Sequence, residues 1–204
     1  MKNSGALITI EGINGIGKTT QSNLLVKFLH SRGKEAYAIK YPMYDLEPEG
    51  PFLYAYLRDP SMRKKENLTV YELQEKFMQN RKRHRAQLHE EICKGKIIVA
   101  EDYTYTGITW RLTWGGNLEH LTKMTEGLLK ADVALLLDGE QFRTAIEEGH
   151  LNETNKEKIE ICRSFFLLLA KKNNMTVINA NQKIADVHND LCAIVEKRIL
   201  VDEI

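Results

Sequence analysis

The sequence predicts an α/β fold, a doubly wound domain with a five-stranded parallel sheet and helices on both faces. Three observations carry this. Short apolar runs alternate with longer amphipathic segments along all 204 residues. Three of the runs are nearly continuous in Val, Ile, Leu and Ala, as strands covered on both faces must be. A glycine-rich turn stands between the first run and the first amphipathic segment, the place where such sheets bind ligands. In chain order the strands are ALITIEG (6–12), EAYAIKYP (35–42), KIIVAEDY (96–103), DVALLLDG (132–139) and MTVINA (175–180), with the first, third and fourth central. Helices are expected from Lys18 to Ser31 with a stop at Gly33, from about Val70 to Lys94 with a stop at Gly95, from Asn155 to Lys172, and from Lys183 onward. EPEGP (47–51) and RDPSMRKKENLT (58–69) read as loops, and EEGHLNETNKEK (147–158) as a mobile surface segment. Residues 1–204 are expected to form one domain.

Composition narrows the partners. Lys and Arg number 29 against 28 acidic residues, a net charge of +1 that provides no field for sequence-independent nucleic-acid binding. Any anion must therefore be met by local groups. No secretory pattern and no uncharged stretch of membrane-spanning length is seen, so a cytoplasmic protein without membrane attachment is expected. Cys93, Cys162 and Cys192 are few and far apart, which suits reduced thiols and neither a disulfide framework nor a zinc site.

Gly12-Ile-Asn-Gly-Ile-Gly-Lys18-Thr19 matches the eight-position phosphate-loop pattern in its required setting, after an apolar strand and before a helix. Glycines let consecutive N–H groups turn inward on phosphate oxygens, the helix adds its positive end, and Lys18 brings a full charge toward the β and γ phosphates. The expected ATP-binding set is Asn14, Gly15, Ile16, Gly17, Lys18, Thr19 and Thr20, with Thr19 as a Mg²⁺ ligand. A GTPase would need Asn-Lys-x-Asp after a later strand, where this chain has LLLDGEQF. Motor and transporter ATPases usually occupy larger domains, so a small-molecule kinase is the reading left.

From GALITIEG to the last helix the chain resembles the thymidylate kinase family. GALITIEGINGIGKTTQ is similar to that family's opening, YELQEKFMQNR to its substrate-binding helix with Phe-x-x-x-Arg, GKIIVAEDYTYTGITW to its strand and loop carrying Asp-Arg-Tyr and Ser-Gly, and NANQKIADVHNDL to its closing strand and helix. The resemblance implies a P-loop nucleoside monophosphate kinase fold with a short lid near 147–157, ATP as donor, Mg²⁺, dTMP as acceptor, and a homodimer. Phe77 and Arg81, four apart on one helix face, can address one flat base together. By resemblance Phe77 stacks on thymine, Arg81 bonds a base carbonyl, Trp110 lies under the sugar where a ribose 2′-hydroxyl would fall, and Tyr41 and Tyr103 line the same pocket. Gly107 lets backbone approach the substrate. Asn14 holds a sugar hydroxyl, and Glu101 is the catalytic and metal-binding carboxylate beside Lys18.

The pattern departs from the family where positive charge is needed. The phosphate loop has Ile16 at its variable position, the lid segment has no arginine, Tyr44 stands where a substrate-phosphate arginine is expected, and Asp102 replaces the arginine of Asp-Arg-Tyr. Phosphoryl transfer depends on positioning and charge neutralisation, so other cations must serve; Arg111, Lys156, Lys158, Arg85 and Arg143 are the candidates, with Arg111 or a lid lysine expected to reach the phosphates. Two readings follow: a dTMP kinase, or a kinase for another deoxynucleotide such as dUMP, against a non-catalytic nucleotide-binding module of the same fold.

Overall fold

The computed structural model describes residues 5–142, 150–152 and 155–200. Five parallel strands, β1 (Ala6–Glu11), β2 (Ala36–Lys40), β3 (Ile97–Glu101), β4 (Val133–Asp138) and β5 (Thr176–Asn179), form one sheet in the order β2-β3-β1-β4-β5. β1, β3 and β4 are the inner strands, and every residue of β1 and β3 is buried. The edge strands β2 and β5 carry the partly polar sequences AYAIK and TVIN. Each fully buried Ile or Leu of this sheet contributes about 1.5–3 kcal/mol, enough to make the strand ends a rigid base for the loops that leave them.

The chain leaves β1 toward β2 on one side and leaves β3 toward β4 on the other, so the ends of β1 and β3 border the crevice where the strand order reverses. In that crevice Ile10 pairs with Glu101, which brings the phosphate loop after β1 beside the Glu101-Asp102 step after β3. Helix α1 (Lys18–Ser31) follows the loop, and α4 (Val70–Cys93) runs beneath the crevice. α4 starts at Thr69 with a capping box shared with Glu72, and it buries Leu73, Gln74, Phe77, Met78, Arg81, His84 and Leu88, the i, i+3, i+4 stripe of a helix on a core. α7 (Lys156–Lys172) and α8 (Ile184–Val195) cover the β4 side, and α8 runs on through a π-helical turn over Glu196–Leu200.

Four segments differ from expectation. EPEGP opens a helix, α2 (Glu49–Arg58), and RDPSMRKKENLT holds another, α3 (Pro60–Glu66). The signs were local: Asp59 caps α3 through Ser61 N–H with Pro60 in its first turn, and Phe52, Leu53, Tyr56 and Leu57 give α2 a helical period. The stretch after Tyr103, expected as a loop, is α5 (Tyr105–Thr113), and α6 (Leu118–Met124) follows it. Of the segment expected to be mobile surface, His150 and Asn152 are buried, and residues 147–149, 153 and 154 lie outside the described residues.

Candidate active site

The phosphate loop folds as its glycines require. Gly12, Gly15 and Gly17 have φ of 147°, 72° and 92°, and a Cβ on Gly12 would lie 2.6 Å from the Leu137 carbonyl oxygen. Gly17 leads directly into α1, so the unpaired N–H groups of the helix start face the crevice. Phe142 N–H donates to Gly15 O at 3.0 Å and clasps the loop from the β4 side. Ile16 turns its side chain into the core, leaving only its backbone for a ligand. Lys18 folds over the loop: its Nζ donates to Gly12 O at 2.8 Å and Ile13 O at 2.9 Å, and stands 3.2 Å from Asp102 Oδ1.

Glu101 is fixed at the end of β3. Its carboxylate accepts from Thr19 Oγ1 at 2.8 Å and from Ser22 Oγ. These hard oxygens suit Mg²⁺, which favours oxygen ligands and keeps several waters beside substrate phosphates. Asp102 takes up φ 57°, an uncommon conformation for a residue with a side chain. Three contacts hold it there: Lys18, the Thr106 hydroxyl at 3.0 Å, and Arg81 Nη2, which donates to the Asp102 carbonyl at 2.6 Å.

Glu11, one step before the loop, organises the opposite wall. Its buried carboxylate accepts the N–H groups of Thr104, Tyr105 and Thr106 at 3.0, 3.2 and 2.9 Å and so serves the start of α5. Burial pushes this carboxyl above its ordinary range, and the Thr106 hydroxyl pulls it back. The sequence signal was there, an acid at the end of an otherwise apolar central strand, but no local pattern named its partners.

A cavity of about 430 Å³ runs from the loop to α4 and α5. Asn14, Gly15, Gly17, Lys18, Thr19 and Thr20 line one end; Phe77, Arg81, Gly107, Trp110 and Arg111 line the other, with Tyr41, Leu57 and Arg58 along the side. Among the described residues five cations line it, Lys18, Lys40, Arg58, Arg81 and Arg111, against one carboxylate, Asp102. Arg81 is 2% exposed and spends donors on the carbonyls of Phe77, Asp102 and Tyr103. Tyr103 itself packs in the core beneath Tyr41, ring centres 5.2 Å apart, and does not line the cavity. Tyr41 Oη is 2.7 Å from His84 Nδ1. Gly107 admits the Gln74 amide, whose atoms lie 3.1 and 3.2 Å from where a Cβ would be.

Residues 10–191 match the family model described as thymidylate kinase. The chain belongs to the thymidylate kinase family. A probable thymidylate kinase of Pyrococcus horikoshii is 28% identical over 203 residues, covering 96% of this chain and 98% of the relative. The thymidylate kinase of Plasmodium falciparum is 28% identical over 207 residues, covering 96% and 92%. A solved thymidylate kinase from Candida albicans superposes with a TM-score of 0.79 at 24% identity, over 95% of this chain and 92% of that one, which shows the P-loop nucleoside monophosphate kinase fold. Family membership makes this chain an enzyme that phosphorylates dTMP, and the non-catalytic and alternative-acceptor readings are not favoured.

Against that family the missing arginines acquire a structural account. At Tyr44, Arg58 of α2 arrives instead: its Nη1 donates to Tyr44 Oη at 3.3 Å and its guanidinium carbon lies 5.1 Å from the Tyr44 ring and 4.2 Å from the Tyr54 ring. Arg58 and Lys40 are the cavity cations that sequence reasoning missed, because only the packing of α2 and the end of β2 brings them there. Of the candidates it named, Arg111 lines the cavity, 2% exposed, its guanidinium pushed down to about 10 by burial. Lys158 instead donates to Thr113 O at 3.2 Å and lies over Trp114. Lys156 and Arg85 are exposed and do not line the cavity, and Arg143 lies outside the described residues.

Proposed function

We propose that the chain transfers the γ-phosphoryl group of ATP to dTMP inside this cavity, with Mg²⁺, in the cytoplasm and as a homodimer. One observation carries the reading: a phosphate loop and a base-sized aromatic wall, Phe77 with Trp110, face each other across a single cavity whose cations outnumber its carboxylates five to one among the described residues. The family supports the dimer and the setting, and no described helix is long and apolar enough to cross a membrane.

ATP enters over the loop, and Lys18 exchanges its contacts with Gly12 O and Ile13 O for the β and γ phosphates. Mg²⁺ held by the Thr19 hydroxyl, with Glu101 behind it, would supply charge neutralisation across those phosphates. On the acceptor side Phe77 stacks on thymine and Arg81 turns its remaining donors to a base carbonyl. Trp110 closes off the space a 2′-hydroxyl would need, and Asn14 takes a sugar hydroxyl. Arg58, steadied by Tyr44 and Tyr54, takes the acceptor phosphate in place of the absent arginines. An oxygen of dTMP's phosphate attacks the γ phosphorus, the bond to the β–γ bridging oxygen breaks, and ADP keeps that oxygen's charge, which Lys18 neutralises.

Acceptor-dependent ADP release tests this. With dTMP the wild type turns over, and Arg58→Met raises the KM for dTMP about ten- to a hundredfold while leaving thymidine binding unchanged. Turnover with unchanged KM in Arg58→Met would remove Arg58 from the acceptor site. ATP binding with no ADP release on any deoxynucleoside monophosphate would defeat the functional reading itself.

A further inference from the structure

The cavity wall at the Phe77 end contains hydrogen-bonding capacity that the protein leaves unused. Among the described residues, six have buried side-chain nitrogen or oxygen atoms without a partner. Three of these, Trp110, Arg111 and Asn152, line the cavity, and a fourth, Gln74, abuts its lining residue Gly107. Buried polar groups are nearly always satisfied, so this concentration marks a place for a polar ligand edge. Arg111 is the strongest of them. Its Nε has no partner, and no ion pair joins the side chain to a carboxylate among the described residues.

The guanidinium carbons of Arg111 and Arg81 both lie 5.7 Å from the centre of the Phe77 ring. A ring stacked on Phe77 sits at about 4.5–7 Å between centres, so both guanidinium groups stand over Phe77 at the same range as such a ring and within reach of its polar atoms. Asp102 and Lys18 pair with each other at the phosphate end, while Arg111 is set among Phe77, Tyr56 and Cys162.

We propose that Arg111 is a base-reading residue that donates to one carbonyl of the pyrimidine while Arg81 donates to the other. This rests on the dTMP reading and adds a specificity rule to it. A guanidinium only donates. Thymine and uracil offer a carbonyl on each side of N3–H and satisfy both arginines. Cytosine places an amino group, also a donor, against one of them and leaves a buried charge unpaired. Position 111 therefore selects a base with two carbonyls and is indifferent to the sugar phosphate.

The test compares thymidine, deoxyuridine and deoxycytidine, which lack the phosphate, with dTMP, using wild type and Arg111→Met, a variant that keeps an unbranched side chain in the wall. Wild type should bind thymidine and deoxyuridine at least about tenfold more tightly than deoxycytidine. Arg111→Met should weaken thymidine and dTMP by the same factor, about ten- to a hundredfold, and narrow the preference over deoxycytidine. Unchanged binding of both ligands would overturn the proposal, as would weakened dTMP with unchanged thymidine, the signature of a phosphate clamp. Should Arg111→Met fail to fold, equal wild-type affinity for deoxycytidine and thymidine suffices to overturn it, and a preference for thymidine matched by Arg111→Lys binding it more weakly supports it. Wild-type turnover of dTMP with unaltered Arg111→Met binding would dismiss this inference alone, whereas no turnover would dismiss the reading beneath it.

Discussion

Lys18 and Asp102 show how an acidic neighbour changes what a phosphate-loop lysine must do. The Lys18 ammonium is shared between two loop carbonyls and the Asp102 carboxylate, 3.2 Å away. ATP must compete with that carboxylate for the same cation, and the negative charge also opposes incoming phosphates. Asp102→Asn keeps the shape and removes the charge, so the KM for ATP is expected to fall several-fold in steady-state assays, most at low salt; an increase would show that Asp102 aids nucleotide binding. The loop was legible because its chemistry is local: glycine spacing, Lys18 and Thr19 lie within eight residues, and the strand before them fixes their setting. Arg58 was not, because its contact with Tyr44 spans fourteen residues and exists only once α2 packs. The Lys158 contact with the Thr113 carbonyl was hidden for the same reason, since nothing in its neighbourhood announces it.

Among the elements, the strands and the long helices were legible and the short helices were not. An inner strand is a continuous apolar run, and α4 states its own start through Thr69 and Glu72. α5 begins on a carboxylate ninety-odd residues away, Glu11, which no window of sequence can see. The first turn of α2 holds a glycine because of its packing: a Cβ on Gly50 would come within 2.3 Å of the Tyr44 carbonyl oxygen and 2.4 Å of the Met43 carbonyl oxygen. Gly50→Ala must therefore push the start of α2 from the Tyr44 turn. It is expected to cost about 1–3 kcal/mol in denaturant unfolding and, because α2 carries Arg58, to raise the KM for dTMP with little change for ATP. Equal changes for both substrates would disconnect α2 from the acceptor end.

At the scale of the whole molecule, the sheet order sets the site: β1 and β3 are neighbours with their onward connections diverging, so a loop from each meets at one crevice. The same packing sorts the thiols. Cys162, on the face of α7 buried against α5, has its thiol pushed up to about 12 by burial and Cys192 to about 11, while Cys93 is exposed. Because the thiolate is the reactive form, a disulfide reagent at pH 8 should modify Cys93 in the folded chain and Cys162 only on unfolding; rapid modification of Cys162 would contradict the packing. The central claim is that this crevice passes a phosphoryl group between two nucleotides, and transfer of label from [γ-³²P]ATP to dTMP measures it directly. The account predicts labelled dTDP from the wild type and a loss of about two to three decades in rate for Lys18→Met. Labelled inorganic phosphate without dTDP, or dTDP formed undiminished by Lys18→Met, would contradict it.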